Sequence, residues 1–118
     1  KKRMNQFDHE RFDIYHLSIE FLVIADEIAQ SLSRGRSYLS DQLRRAALSI
    51  SLNIAEGSGE FSKNDKIRFY RIARGSATEC AAVLDACKAL KLSEEEILTT
   101  GRSLLVRIVS MLIKMTKI

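Results

Sequence analysis

The sequence contains no proline and no tryptophan, and only five of its 118 residues are glycine. Their scarcity, together with an abundance of Ala, Leu, Ile, Glu, Lys and Arg, is typical of long helices and argues against short strands joined by turns. A chain of this length is large enough to bury the core of one domain. We therefore predict a single all-α domain over residues 1–118.

Long apolar stretches are also absent. No run approaches the roughly 20 residues that a membrane span requires. Lys1, Lys2 and Arg3 are basic, but no hydrophobic signal core follows them. We expect a cytoplasmic protein that makes no contact with a membrane.

Residues that bind metals or form disulfides are few. Cys80 and Cys87 are seven residues apart, so within one helix they lie roughly 10 Å apart, too far for a disulfide. We interpret both as small buried apolar residues. His9 and His16 are the two histidines, and neither follows a Glu at the Glu-x-x-His spacing of di-iron bundles. We predict no metal and no cofactor.

Catalytic motifs are missing as well. The segment "EGSGE", residues 56–60, contains Gly-x-Gly but lacks the remainder of a phosphate-binding loop. Ser, Cys and His do not have the spacing of a nucleophile with its base. A carboxylate such as Glu56 or Glu79 beside an arginine fits a structural ion pair better than an acid–base site. We predict that the protein is not an enzyme.

Apolar periodicity predicts four helices, at about residues 10–33, 40–57, 64–91 and 94–116. Gly35 is predicted to end the first helix in the left-handed conformation. The predicted N-caps of the later helices are Ser40, Ser62 and Ser93, the last two with acidic partners at capping-box spacing. Because short connections favour antiparallel neighbours, we predict an up-down-up-down antiparallel four-helix bundle.

The second and fourth helices carry more apolar residues than one core needs. The second helix has a stripe at Leu43, Ala46, Ala47, Ile50 and Ile54, and another at Leu48, Leu52 and Ala55. The fourth helix adds Leu98, Val106, Val109 and Ile113 beside its main stripe. A peripheral helix of a monomer normally has one apolar stripe. We therefore expect self-association, with a monomer of unusually apolar surface as the alternative.

A polar line separates the two stripes of the second helix. Ser49, Asn53 and Glu56 are spaced i, i+4, i+7, and buried polar groups need partners. We expect Glu56 to pair with Arg71, Arg74 or the N-terminus of the third helix, and Glu79 to pair with Arg44 or Arg45. The predicted structural polar network is Ser49, Asn53, Glu56, Arg71, Arg74 and Glu79.

The net charge of +4 is distributed unevenly. Residues 34–74 contain nine Lys or Arg and four Asp or Glu, whereas residues 1–33 contain four basic and six acidic residues. A central basic cluster is typical of phosphate binding, but it also fits a solvated face or ion pairs between subunits. The candidate nucleic-acid-binding residues are Arg34, Arg36, Arg44, Arg45, Lys63, Lys66 and Arg68.

Two segments resemble a known family. "QLRRAALSISLNIAEGSGE", residues 42–60, and "FYRIARGSATE", residues 69–79, are similar to the signature of the bacterial 23S rRNA intervening-sequence proteins. Two features depart from that pattern: Glu60 stands where the family commonly has Arg or Lys, and the first helix lacks a frequent Trp. The acidic residue weakens the case for phosphate contact at that turn.

The resemblance implies a small up-down bundle that assembles into a ring, with the homopentamer as the associated form. A related branch comprises accessory proteins of diversity-generating retroelements, which bind nucleic acid and a reverse transcriptase. The resemblance supplies no established biochemical activity.

Two functions follow as hypotheses. The first is a non-catalytic homo-oligomeric scaffold that contacts structured RNA or DNA through repeated basic patches, reading shape and phosphate more than bases. The alternative is a protein–protein interaction module, for example a partner of a polymerase or reverse transcriptase, without direct nucleic-acid contact.

Overall fold

The computed structural model describes residues 7–117, and the regular structure in that range is entirely helical. The α-helices are α1 Asp13–Ser31, α2 Ser37–Ser58, α3 Lys63–Ala89 and α4 Glu95–Met115. Two short 3-10 helices, Asp8–Arg11 and Arg34–Arg36, precede α1 and α2. The ends of the four α-helices lie within three residues of the bounds expected from periodicity.

The helix ends show which capping predictions hold. Ser62 is the N-cap of α3, and its Oγ accepts a hydrogen bond from the Asp65 N–H at 3.1 Å, as predicted. Ser40 is not a cap, because the 3-10 helix runs directly into α2, and its hydroxyl donates to the Ser37 carbonyl inside the first turn. Gly35 lies in that 3-10 helix, and no glycine among residues 7–117 has a positive φ.

The turn between α3 and α4 uses a lysine where glycine is usual. Lys91 has φ 56°, and the N–H groups of Lys91 and Leu92 donate to the carbonyls of Lys88 and Cys87. These two bonds form a Schellman motif, which satisfies the last carbonyls of the helix. The turn places Glu94 at the N-cap of α4, so the prediction that Ser93 caps this helix is wrong.

The four helices share one core. α1 packs against α2 and α4, and α3 packs against the same two helices, whereas among the described residues the backbones of α1 and α3, and those of α2 and α4, do not approach closely. The first predicted stripe of α2, which runs from Leu43 to Ile54, is buried. It belongs to the same core as Phe21, Ala73, Ile108 and Leu112. Cys80 and Cys87 also lie in this core.

The additional apolar residues predicted on α2 and α4, outside the main stripe of each helix, are largely exposed. Leu48 and Leu52 are 45% and 57% exposed, and Val106 and Ile113 on α4 are exposed as well. Leu98 departs from the prediction, because it is buried in the core where the first turn of α4 packs against α3. No helix in residues 7–117 has the length and hydropathy needed to cross a membrane.

Candidate nucleic-acid interface

The predicted basic residues do not form one patch. Arg34 and Arg36 precede α2, whereas Lys63, Lys66 and Arg68 follow it. The 22 residues of α2 span about 33 Å at the standard helical rise. The first group is small: Arg34 is exposed, and Arg36 donates from Nη1 to the Tyr38 hydroxyl at 2.9 Å.

The two arginines in the middle of α2 are engaged by neighbouring side chains. Arg44 Nε lies 3.1 Å from Asp26 Oδ1 on α1, in an ion pair that remains about half exposed. Arg45 donates to the Gln42 side-chain oxygen, and the Gln42 amide donates to Glu79 Oε2 at 2.8 Å. The predicted direct ion pair of Glu79 with either arginine therefore does not form, because Gln42 bridges Glu79 to Arg45 and Arg44 pairs with Asp26.

Two of the three candidate residues on α3 contact the protein itself. The Lys66 ammonium donates to the carbonyls of Gly57 and Ser58, at 3.4 and 3.1 Å, and so caps the C-terminal end of α2. The Arg68 guanidinium lies 4.3 Å from the centroid of the Phe69 ring, a cation–π contact that leaves its N–H groups available. Lys63 is exposed.

Arg71 and Arg74 do not join the predicted structural polar network. Both are exposed, as is Glu56, and none of the three makes an ion pair among the described residues. Glu56 shares the outer face of α2 with the exposed Leu52, four residues earlier. The next residue, Gly57, is the one that faces α3, where an added Cβ would lie 2.6 Å from the Tyr70 ring.

The remainder of the polar line does lie between two helices. Ser49 Oγ on α2 is 2.7 Å from Ser76 Oγ on α3, and the Asn53 amide donates to the Ser49 hydroxyl and carbonyl. These side chains are partly buried at the α2–α3 contact. The prediction of partnered polar groups there is correct for Ser49 and Asn53.

A second serine pair was missed in the sequence. Ser51 Oγ donates to Ser18 Oγ at 3.0 Å, and Ser18 donates to the Tyr15 carbonyl, all within the α1–α2 contact. Both serines are buried, at 3% and 0% exposure. The sequence contains an indication of this pair: Ser18 directly follows the core residue Leu17, and Ser51 directly follows the core residue Ile50.

The first half of α3 presents the strongest exposed positive charge. Residues 63–74 contain five Lys or Arg and one Asp. Asn64, Arg68 and Arg71, spaced i, i+4, i+7, share one face and line a shallow depression whose floor is Ile67. We call the exposed cations Lys63, Arg68 and Arg71 the α3 basic surface.

Neither histidine lies in a metal-binding group. His16 Nε2 donates to the Glu10 carbonyl at 2.8 Å, and the His9 ring packs edge-on against Tyr15 at 4.5 Å. In the part of the chain that the structure describes, no three His, Cys, Asp or Glu side chains are grouped to hold a metal ion.

Comparison with known proteins finds a solved structure with the same fold and a matching family. A solved structure of a protein of unknown function from the S23 ribosomal protein family of Bacteroides thetaiotaomicron VPI-5482 matches with a TM-score of 0.82. The match covers 89% of this chain and 99% of that chain at 24% sequence identity, so the likeness concerns the fold alone. No curated protein matches the sequence. The family model described as 23S rRNA-intervening sequence protein matches residues 10–114, and the chain therefore belongs to this family.

Proposed function

We propose that the protein is a non-catalytic, homo-oligomeric helical scaffold that contacts structured RNA or DNA through the α3 basic surface. In this proposal the helices form an up-down-up-down antiparallel bundle, and the protomers assemble into a ring, with the pentamer as the expected size. The contact is with phosphate and with the shape of the nucleic acid.

The observation that carries the proposal is the set of unpaired cations on α3. Arg71 makes no ion pair among residues 7–117, and Arg68 uses only the face of its guanidinium against Phe69. An arginine keeps its planar donors available for a phosphate when no carboxylate occupies them. By contrast, Arg44 and Lys66 have partners within the protomer.

The arrangement favours reading of the phosphate backbone. Asn64, Arg68 and Arg71 lie along one exposed helix face, and Lys63 is exposed at the start of the same helix, so the surface presents mainly hydrogen-bond donors. Contacts to phosphate position a protein on nucleic acid, whereas sequence is read at the base edges. A ring would repeat the surface once per protomer, so that weak individual contacts sum to useful avidity.

Binding across a salt series tests the proposal. The probes are a labelled stem-loop derived from 23S rRNA and an unrelated hairpin of the same length. We expect both to bind at low salt and log affinity to fall linearly with log salt, by roughly 0.7 to 0.9 per phosphate contact. Preference for the rRNA stem-loop would add a specific target to the general phosphate contact.

The opposite result favours the other function. If neither hairpin binds at 50 mM salt, the charge on α3 serves something other than nucleic acid. The protein is then better described as an interaction module for a protein partner such as a polymerase. Binding through an apolar protein interface would also show little dependence on salt.

A further inference from the structure

The turn between α2 and α3 carries the most exposed of the large apolar side chains in residues 7–117. Phe61 is 103% exposed, so its ring is as open to water as in an unfolded chain. Aromatic rings stabilise a fold through the large area that they bury. The ring of Phe61 contributes nothing of this kind to the protomer, and both of its faces are open to a ligand.

The backbone on each side of Phe61 is tied to the end of a helix. On the α2 side, the Glu60 N–H donates to the Gly57 carbonyl at 3.2 Å. On the α3 side, the Oγ of Ser62 accepts from the Asp65 N–H at 3.1 Å. Because both neighbours of Phe61 are held, a ligand that binds its ring does not have to order a loop first.

The turn leads directly into the α3 basic surface. Lys63 is two residues after Phe61, and Arg68 follows about 7.5 Å further along α3 at the standard helical rise. The Arg68 guanidinium lies 4.3 Å from the centroid of the Phe69 ring. Phe69 in turn adjoins the end of α2, since its Cβ would lie 3.2 Å from a Cβ added at Gly57. The exposed ring and these two cations therefore lie at the same end of the protomer.

An aromatic ring beside cations has the chemistry that binds an unpaired nucleotide. Every nucleobase has a π face that stacks on an aromatic side chain, while the adjoining phosphates bind cations. Bases inside a duplex are stacked on one another, whereas the bases of loops and ends are free to stack on protein. Glu60, directly before Phe61, repels phosphate at the turn itself. The turn is therefore suited to an uncharged base and α3 to the phosphates.

We infer that Phe61 is a stacking platform for an unpaired base in the loop or at the end of a structured nucleic acid, whose neighbouring phosphates bind Lys63 and Arg68. This inference rests on the proposed nucleic-acid contact and names the part of the nucleic acid that the turn binds. The α3 basic surface provides affinity for any phosphate backbone. Phe61 adds a preference for unpaired over fully paired segments.

Two probes with equal numbers of phosphates separate the base contact from the backbone contact. One is an RNA hairpin with an unpaired loop, and the other is a blunt RNA duplex that contains the same stem. Both carry a terminal fluorescent label, and fluorescence anisotropy gives their affinities across a salt series that starts at 50 mM. A second version of the hairpin has 2-aminopurine in the loop, whose fluorescence is quenched when the base stacks.

Three variants isolate the aromatic face. Phe61→Leu keeps an apolar side chain but removes the face, and Phe61→Tyr keeps the face. Tyr38→Leu is the matched control, because Tyr38 is an aromatic residue that is 56% exposed next to Arg36. It lies at the start of α2, whereas Phe61 follows the end of that helix. All three changes are at exposed positions, and thermal melts check that each variant is folded.

We expect Phe61→Leu to lower the affinity for the hairpin by roughly 5- to 150-fold, the contribution of one stacked base. Its affinity for the duplex and the salt slopes of both probes should change little, because the substitution removes no charge. Phe61→Tyr and Tyr38→Leu should bind both probes as the wild type does. The 2-aminopurine fluorescence should fall when the wild type binds and stay nearly constant with Phe61→Leu.

The outcomes distinguish this inference from the proposed function. A wild type that binds neither probe would overturn both. Binding of both probes with a hairpin affinity that Phe61→Leu leaves unchanged would overturn the stacking site alone, with the phosphate contact intact. Equal losses for hairpin and duplex in Phe61→Leu would also overturn the stacking site. The same conclusion would follow if Phe61→Tyr or the Tyr38→Leu control lost as much hairpin affinity as Phe61→Leu.

Discussion

At the scale of single residues, the polar groups between helices are short hydroxyls satisfied by other short hydroxyls. Ser18 and Ser51 pair with each other at the α1–α2 contact, and Ser49 pairs with Ser76 at the α2–α3 contact. Each pair joins two helices at one relative position, since shifting either helix by a turn would break the bond between the two hydroxyls. Leaving one buried hydroxyl without a partner destabilises the fold more than replacing both hydroxyls of a pair by apolar groups.

We predict that Ser51→Ala lowers the free energy of unfolding by about 1 to 3 kcal/mol. The Ser18 hydroxyl keeps its bond to the Tyr15 carbonyl but loses its donor. Urea unfolding gives the value. The double variant Ser18→Ala and Ser51→Ala should lose less than the sum of the two single changes, because no hydroxyl remains to be satisfied. Additive losses would show that the pair contributes no coupling.

The thiol of Cys80 gives a pH-dependent prediction. Burial, with a smaller contribution from the Glu79 charge, raises the pKa of this thiol to about 12. The unfolded thiol titrates near 8.5, so the stabilisation from keeping it protonated is complete below that pH and declines as the pH rises towards 12. Thermal melts of the wild type and Cys80→Ala at pH 7, 9 and 10.5 should show a stability difference that shrinks with pH. A constant difference would mean that the thiol is not protected from ionisation.

At the scale of elements, two glycines show how differently helices use the same residue. Gly57 lies where α2 meets α3, with no room for a side chain beside Tyr70. Gly75 lies in the exposed interior of α3, and nothing within 4 Å would meet an added Cβ. The first glycine permits a close approach between helices, and the second only weakens its helix.

We therefore expect Gly57→Ala to destabilise the protein and Gly75→Ala to stabilise it. Alanine at 57 has to displace the Tyr70 ring, and overpacking of this kind destabilises a core by about 1 to 3 kcal/mol. Alanine at 75 should stabilise the protein by about 1 kcal/mol through helix propensity. Thermal denaturation of both variants shows whether each change raises or lowers the melting temperature. A destabilised Gly75→Ala protomer would show that something approaches this face of α3.

The number and type of the helices were predictable because apolar periodicity is a strong signal over 20 residues or more. The caps were less predictable, since they depend on how neighbouring segments meet. Ser40 has the chemistry of a cap, but the preceding 3-10 helix already supplies the start of α2. Likewise Ser93 loses its expected role because Lys91 adopts the left-handed conformation and the helix begins later.

The candidate site was predictable in composition but less so in arrangement. Lys63 and Arg68 are both exposed on α3, whereas the Lys66 side chain, only two residues from Arg68, donates to carbonyls at the end of α2. The sequence predicts an ion pair of Glu56 with Arg71 or Arg74, whereas the close approach at Gly57 leaves Glu56 on the outer face. Such outcomes depend on how the helices are rotated about their axes, which local sequence patterns do not specify.

At the scale of the whole molecule, charge is segregated along an elongated protomer of 48 × 30 × 21 Å. α1 contains only acidic charged residues, apart from a histidine, while the first half of α3 is strongly basic. The backbones of α1 and α3 do not approach closely, so the exposed charges of these two helices lie on different sides of the protomer. In the proposed function, the basic side is the one that contacts phosphate.

The measurement that tests this account most directly is the salt dependence of hairpin binding by a variant of the α3 basic surface. Arg68→Gln with Arg71→Gln removes two cations from that surface, and Arg107→Gln with Lys114→Gln removes the same charge from α4. We predict that the α3 variant lowers the slope of log affinity against log salt by roughly one per removed contact, whereas the α4 variant leaves it nearly unchanged. Equal slopes for the two variants would contradict the account, because binding would then follow net charge and not this surface.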